Sequence, residues 1–342
     1  MELPPPLAET IAARLGVRAC RSEPLARHTS FRIGGPADLL VVPETVDELA
    51  FVLRAASACG ATVTMLGGGS NVLVGDGGVR GVVVKLGRGF ARVEWHDGEG
   101  GAEVRAGAGA NLGRLARTAA SRGLAGLEHA EGIPGTVGGA LFMNAGAYGG
   151  DVASAAVAVE GLDGRGELVV LPRAALAFRY RGTALPPRFV VTAVRFALRA
   201  EAPDAVRGRL EDVRRRRVAS QPHGRANAGS MFKNPAGDHA GRLIDVAGLK
   251  GARIGRARIS ERHANFIVNE GGASAGDVKG LMDLAQRVVW ERSGVWLEPE
   301  VRFVGSWRTG CSARATGVAG RSPFATTRDS ARPSAPASRP SS

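Results

Sequence analysis

The chain has 342 residues, 44% of them hydrophobic, which is enough for the cores of two or three domains. Aromatic residues make up only 5%, which argues against a base-stacking nucleic-acid platform. The formal charge of +13 rests on arginine, since only Lys85, Lys233, Lys250 and Lys279 are lysines among 45 basic residues. From Trp307 onward six Arg face one Asp. So lopsided a ratio reads as compositional bias, and no nucleic-acid partner is expected.

In chain order, residues 1–19 read as an N-terminal extension. They hold no basic start followed by an apolar run, so no signal peptide is expected. Residues 38–42 predict a strand. Thr45 and Glu48 then give a T-x-x-E helix start, Leu49, Val52, Leu53 and Ala56 make one helical stripe, and Gly60 ends it. Strands are expected at 62–66, 81–86 and 102–106, and a helix at 111–122. Short alternating runs near 156–162, 167–171 and 189–197 predict further strands, followed by a charged helix at 204–218. Residues 256–269 suggest a strand, Ser274 caps a helix that runs to Gly294, and "WLEPEVRFVG" closes with a strand. The stretch 306–342 is rich in Ser, Ala, Pro, Arg and Thr and is expected to be a disordered basic tail. No apolar segment approaches the roughly 20 residues of a membrane span. Cys20, Cys59 and Cys311 are too scattered for a disulfide framework or a zinc site, so no metal and a reducing, cytoplasmic setting are expected.

Two glycine-rich stretches stand out. "LGGGSN" at 66–71 follows a strand directly, and three glycines let backbone N–H groups converge on one concavity with Ser70 and Asn71 beside them. Alone it reads equally as a tight surface turn. "GIPGTVGGALFMNAGAYGG" at 132–150 holds no charge and seven glycines, so it is expected to wrap as a loop around a flat ligand. Two such loops, each bearing Asn, point to one elongated ligand held mostly by backbone. There is no G-x-x-x-x-G-K-[ST], and "GAGANLG" at 107–113 is one residue too long for a dinucleotide fingerprint.

"LGGGSNVLV", "GIPGTVGGALFMNAGAYGG", "FRYRGT", "AGSMFKNP", "ISERHANFIVN" and "LEPEVRFVG" occur in that order. Together, over about residues 20–305, they resemble the UDP-N-acetylenolpyruvoylglucosamine reductase (UDP-N-acetylmuramate dehydrogenase) family. The resemblance implies an α+β fold: a vanillyl-alcohol-oxidase-type FAD-binding domain of two α+β lobes at 20–199, then a smaller α/β substrate-binding domain at 200–305. It implies non-covalent FAD, NADPH as hydride donor and UDP-N-acetylglucosamine enolpyruvate as substrate, in a monomer with no membrane partner. Both glycine stretches would line the FAD through Gly67, Gly68, Gly69, Ser70 and Asn71, and through Ile133, Pro134, Gly135, Thr136, Gly138, Gly139, Ala140, Asn144 and Ala145.

Three residues are expected to carry the chemistry. Ser230 of "AGSMFKNP" would deliver a proton to an enolate-like carbon. Arg181 of "FRYRGT" would face the substrate carboxylate. Glu298 and Glu300 share a strand face by spacing; the family pattern before "VR" selects Glu300, whose carboxyl would need a raised pKa to act as an acid. Lys233, Asn234, Lys250, His263 and Asn265 match positions expected at the substrate. Thr183 stands where the family often has Ser. The short stretch after Arg181 resembles a compact subtype, with no tyrosine expected to close over the sugar. "RRRR" at 214–217 reads as a solvated helix face. A sugar or lactone oxidase of the same fold, or a nucleotide-binding module without catalysis, would share the glycine loops but need no "AGSMFKNP".

Overall fold

The T-x-x-E signature forms half of its capping box. In the computed structural model, which describes residues 3–307, the Thr45 side chain accepts the Glu48 N–H. Glu48 turns away instead, accepting the Glu44 N–H at 2.7 Å and both Arg18 guanidinium nitrogens at 2.6 Å. Among the described residues seven α-helices form: α1 (Pro5–Leu15), α2 (Val46–Ala58), α3 (Leu112–Ser121), α4 (Val137–Met143), α5 (Pro203–Ser220), α6 (Ala240–Val246) and α7 (Ala275–Ser293). In α1, proline occupies the first turn and Leu7, Ala8, Ile11 and Leu15 are buried. Ser274 and Asp277 complete a capping box on α7, and Gly294 ends it in the left-handed conformation.

The first lobe is a four-stranded sheet in the order Ala19–Pro24, Pro36–Val41, Val79–Val84, Val63–Met65. Its last three strands run parallel, and Leu39, Val41, Val82 and Val84 pack against α1 and α2. The second lobe is an antiparallel sheet in the order Leu168–Pro172, Ala156–Leu162, Val190–Ala200, Gly101–Gly107, Val93–Gly98, with Leu124–Ala125 beside Val190–Ala200. Val104, Val159 and Phe196 lie on a face covered by α3 and α4. A third apolar cluster gathers the C-terminal residues, but Phe31, Ile33 and Leu73 from the first lobe belong to it as well. Further ties join the two: Asp76 accepts the Ala275 and Gly276 N–H groups at the start of α7, and Arg302–Val304 pairs in parallel with Val72–Val74. Residues 3–307 therefore lie within one compact unit. None of its helices is long and apolar enough to cross a membrane.

Three sequence expectations change. Residues 256–269 are an antiparallel pair, Ala257–Ile259 and Ile267–Asn269, joined by a loop that carries His263 and Asn265. The "FRYRGT" motif is a hairpin, Ala177–Arg179 with Gly182–Ala184, so Arg181 sits at its turn rather than on a strand. The glycine-rich stretch is not all loop: it contains α4, capped by Thr136, and a small hairpin of Gly146–Ala147 with Gly150–Asp151. Gly138 in α4 allows close packing, because a Cβ there would come within 2.8 Å of the Ala108 Cβ. The tail expectation at 306–342 falls almost entirely outside the described residues.

Candidate active site

The loop after Val63–Met65 is held open by its own backbone. Gly69 takes φ +65°, and a Cβ there would lie 2.0 Å from the His28 carbonyl oxygen, so only glycine fits. Among the described residues, the N–H groups of Gly67, Gly68, Gly69, Ser70 and Asn71 donate to no protein acceptor. Five successive unspent amides form a nest for an anion. The second glycine stretch abuts this nest. A Cβ on Gly68 would lie 2.7 Å from the Gly135 Cα, one on Gly67 would lie 3.0 Å from the Thr136 Oγ1, and the Ser70 hydroxyl donates to the Pro134 carbonyl at 2.9 Å. The two stretches thus lie side by side along one surface, on which Gly68, Pro134 and Gly139 are exposed. These residues fit a dinucleotide: unpaired amides for a pyrophosphate, and bare backbone for a flat ring.

Beside that surface lies a cluster of charges. The Arg181 Nε donates to the Glu300 Oε1 at 2.8 Å, and both side chains are mostly buried. Burial pushes the Glu300 carboxyl above its usual range, against the opposing pull of Arg181 and Lys233. Arg181 itself has φ +57° at the second position of its turn, where glycine or asparagine is usual. Such a conformation costs on the order of 1–3 kcal/mol and persists where surroundings enforce it. Ser230 reaches the same place by backbone: it precedes Met231, whose carbonyl accepts the Glu300 N–H at 2.8 Å. Asn71, the last residue of the nest, donates from Nδ2 to the Glu300 carbonyl at 3.1 Å. Nest, guanidinium, carboxyl and the segment bearing Ser230 are therefore contiguous.

Two family models match: an FAD binding domain over residues 37–172 and the UDP-N-acetylenolpyruvoylglucosamine reductase C-terminal domain over 221–304. UDP-N-acetylenolpyruvoylglucosamine reductase 2 of Symbiobacterium thermophilum is 48% identical over 303 residues, covering 88% of this chain and 97% of its own. The Desulfosudis oleivorans enzyme of the same name is 47% identical over 292 residues, covering 83% and 93%. The chain belongs to the UDP-N-acetylenolpyruvoylglucosamine reductase family. The crystal structure of the reductase from Thermus caldophilus superposes with a TM-score of 0.71 at 41% identity, covering 84% of this chain and 98% of that one. The protein is an FAD-binding oxidoreductase with the α+β fold of this reductase family.

Other residues matched to the reductase motifs divide by what their side chains already do. Asn265 is buried and spends its amide on Phe232, accepting its N–H at 2.9 Å and donating to its carbonyl at 2.8 Å. It therefore clamps the strand after Ser230. Asn144 is also buried, with every side-chain polar atom bonded within the protein. Asn234 accepts the Ala240 N–H at 3.1 Å at the start of α6. Lys233 pairs with Glu298, and Lys250 with Asp245. Glu298 and Glu300, inseparable by spacing, differ in exposure: the Glu298 side chain is 68% exposed and that of Glu300 is 16%. His263 accepts the Asn265 N–H at 3.2 Å, and burial with nearby Lys250 pushes its pKa down. Ile133 and Ala145 flank α4 and pack against the core, and Ala140 within α4 is part of it.

Sequence reasoning missed Arg217. Far from a solvated face, its Nε is buried with no acceptor among the described residues, and a Cβ on Gly132 would lie 2.9 Å from it. The run of four arginines hid it, because a helix sends consecutive residues to all sides and only contact selects one.

Proposed function

We propose that this chain reduces UDP-N-acetylglucosamine enolpyruvate to UDP-N-acetylmuramate with NADPH as the donor, in the cytoplasm and as a monomer. When bound, FAD would carry reducing equivalents from the nicotinamide to the enolpyruvyl group. The amides of Gly67–Asn71 hold its pyrophosphate, and the backbone of 133–136, 138–140 and 145 lines the rest. Arg181 faces the substrate carboxylate and stabilises the charge that builds there. Glu300, whose carboxyl burial pushes toward holding its proton, donates from that form to the same developing enolate. The Ser230 hydroxyl delivers a proton to the neighbouring carbon, and Lys233 stabilises the alkoxide left behind. Lys250, Asn234 and His263 meet the nucleotide-sugar. Residues 20–199 serve the cofactor and 200–305 the substrate.

The observation that carries this reading is the Arg181–Glu300 contact, which joins residues 119 apart in sequence beside the Ser230 strand. The test uses purified, flavin-loaded protein. NADPH oxidation is expected only when the enolpyruvyl substrate is present. Ser230→Ala is expected to leave reduction by NADPH near normal and to slow reoxidation by substrate about a thousandfold. Equal slowing of both half-reactions would make Ser230 structural and overturn its role.

A further inference from the structure

The short helix α4 connects the proposed cofactor surface to Arg181. At its start, Val137 and Gly138 donate to the Ala110 and Ala108 carbonyls at 2.8 and 2.9 Å, and Thr136 lies against Gly67. At its end, Asn144 takes a left-handed conformation (φ 40°, ψ 57°), which asparagine tolerates. From there its Nδ2 donates to the Arg179 carbonyl at 3.1 Å and to the Asp151 Oδ2 at 2.9 Å, while its Oδ1 accepts the Ala153 N–H at 2.9 Å. The Thr183 hydroxyl, on the other strand of the Arg181 hairpin, donates to the Leu141 carbonyl of α4 at 2.6 Å. Both strands of the hairpin are thus fastened to one helix, and the turn between them holds Arg181 in a strained backbone conformation.

We infer that Asn144 and Thr183 are positioning residues: they clasp the Arg181 hairpin to α4, which fixes the distance between that guanidinium and the flavin surface. The inference rests on the role proposed for Arg181. Asn144 reaches the Arg181 turn through the Arg179 carbonyl, one residue before Tyr180, and both of its side-chain donors are spent within the protein. The nest at Gly67–Asn71 should therefore bind cofactor without it.

The experiment compares Asn144→Gly, Thr183→Val, Thr183→Ser and Arg181→Lys as flavin-loaded full-length chains. Glycine keeps the left-handed backbone at 144 and removes the clasp together with the bonds to Asp151 and Ala153, whereas Thr183→Val removes a clasp bond alone. FAD affinity and flavin spectrum are expected to match the unmodified protein for Asn144→Gly and Thr183→Val. Reoxidation of the chemically reduced flavin by substrate is expected to slow about a hundredfold, the scale of an ångström's misplacement. Thr183→Ser, which keeps the hydroxyl, is expected to restore the rate. Looser Arg181 also stops opposing the burial of Glu300, so the descending limb of the pH–rate profile should move to higher pH. A purely structural role would not move that limb. Near-normal rates in Asn144→Gly and Thr183→Val, beside a large loss in Arg181→Lys, would overturn the clasp and leave Arg181 catalytic. A normal rate in Arg181→Lys would overturn the reading of Arg181 itself. Loss of FAD affinity in Asn144→Gly would place Asn144 in the cofactor site instead.

Discussion

Arg18–Glu48 and Arg181–Glu300 are the same pair chemically, with opposite outcomes. The Glu48 and Glu300 side chains keep similar water contact, 17% and 16% exposed. Yet Glu48 is pulled down to about 2, while Glu300 is pushed up. Glu300 lies deeper among protein atoms, so loss of water dominates there, and the two ions are also offered different amounts. Glu48 receives a two-pronged guanidinium, with nitrogens at 2.6 Å from each oxygen, and the Glu44 N–H as well. Glu300 receives one Nε contact at 2.8 Å, too little to offset the loss of water. One arginine locks a carboxylate as an ion; the other leaves a carboxyl able to hold a proton and a guanidinium with donors to spare.

The comparison breaks most visibly at Glu300. Glu300→Ala is expected to slow reoxidation of reduced flavin by substrate on the order of a hundred- to thousandfold, with Glu300→Gln recovering part of the loss because a neutral amide still donates. Stopped-flow absorbance checks this.

The next effect is in stability against pH, where the two pairs should respond in opposite senses. Glu48 has a folded pKa below its unfolded value of 4.5. Its contribution is present above that value and is lost as pH falls from about 4.5 to about 2. Glu48→Gln should therefore remove roughly 1–2 kcal/mol at neutral pH and less in acid, and Arg18→Ala should act in the same direction, with turnover unchanged. Glu300 has a folded pKa above its unfolded value. Its carboxyl favours the folded state at low pH and opposes it as pH rises through the raised value. Glu300→Gln should gain melting temperature over the unmodified protein at pH 8 but not at pH 4. Thermal unfolding followed across pH would separate these slopes; parallel slopes for the two Gln variants would refute the contrast.

The smallest effect is expected at the exposed partner. Glu298→Ala frees Lys233 from a largely solvated pair and should change stability by under about 0.5 kcal/mol. Its trace belongs in the substrate KM, which should fall slightly as Lys233 becomes available.

What the sequence disclosed followed from local physics. The α2 cap and stripe, the α7 capping box and the run at 156–162 depend on residues within a few positions of one another, and each appears where expected. The glycine nest was legible for the same reason. The errors share a non-local cause. Glycines 138 and 139 hid α4, since propensity opposes a helix that only the cap at Thr136 and packing on Ala108 justify. The hairpin at Arg181 lacks the usual turn residues, so nothing in "FRYRGT" announced a reversal. Asn144 and Asn265 carried polar side chains in functional motifs, and only the fold revealed that both are spent on backbone.

The strand Arg302–Val304 lies against Val72–Val74, and the Asn71 amide reaches Glu300 across 229 residues. During synthesis the glycine loop at 67–71 is therefore made long before Glu300. A chain cut short before residue 300 keeps Arg181 and loses the carboxyl it meets. The contact on which the proposed chemistry depends can form only once nearly all of the described residues have been made.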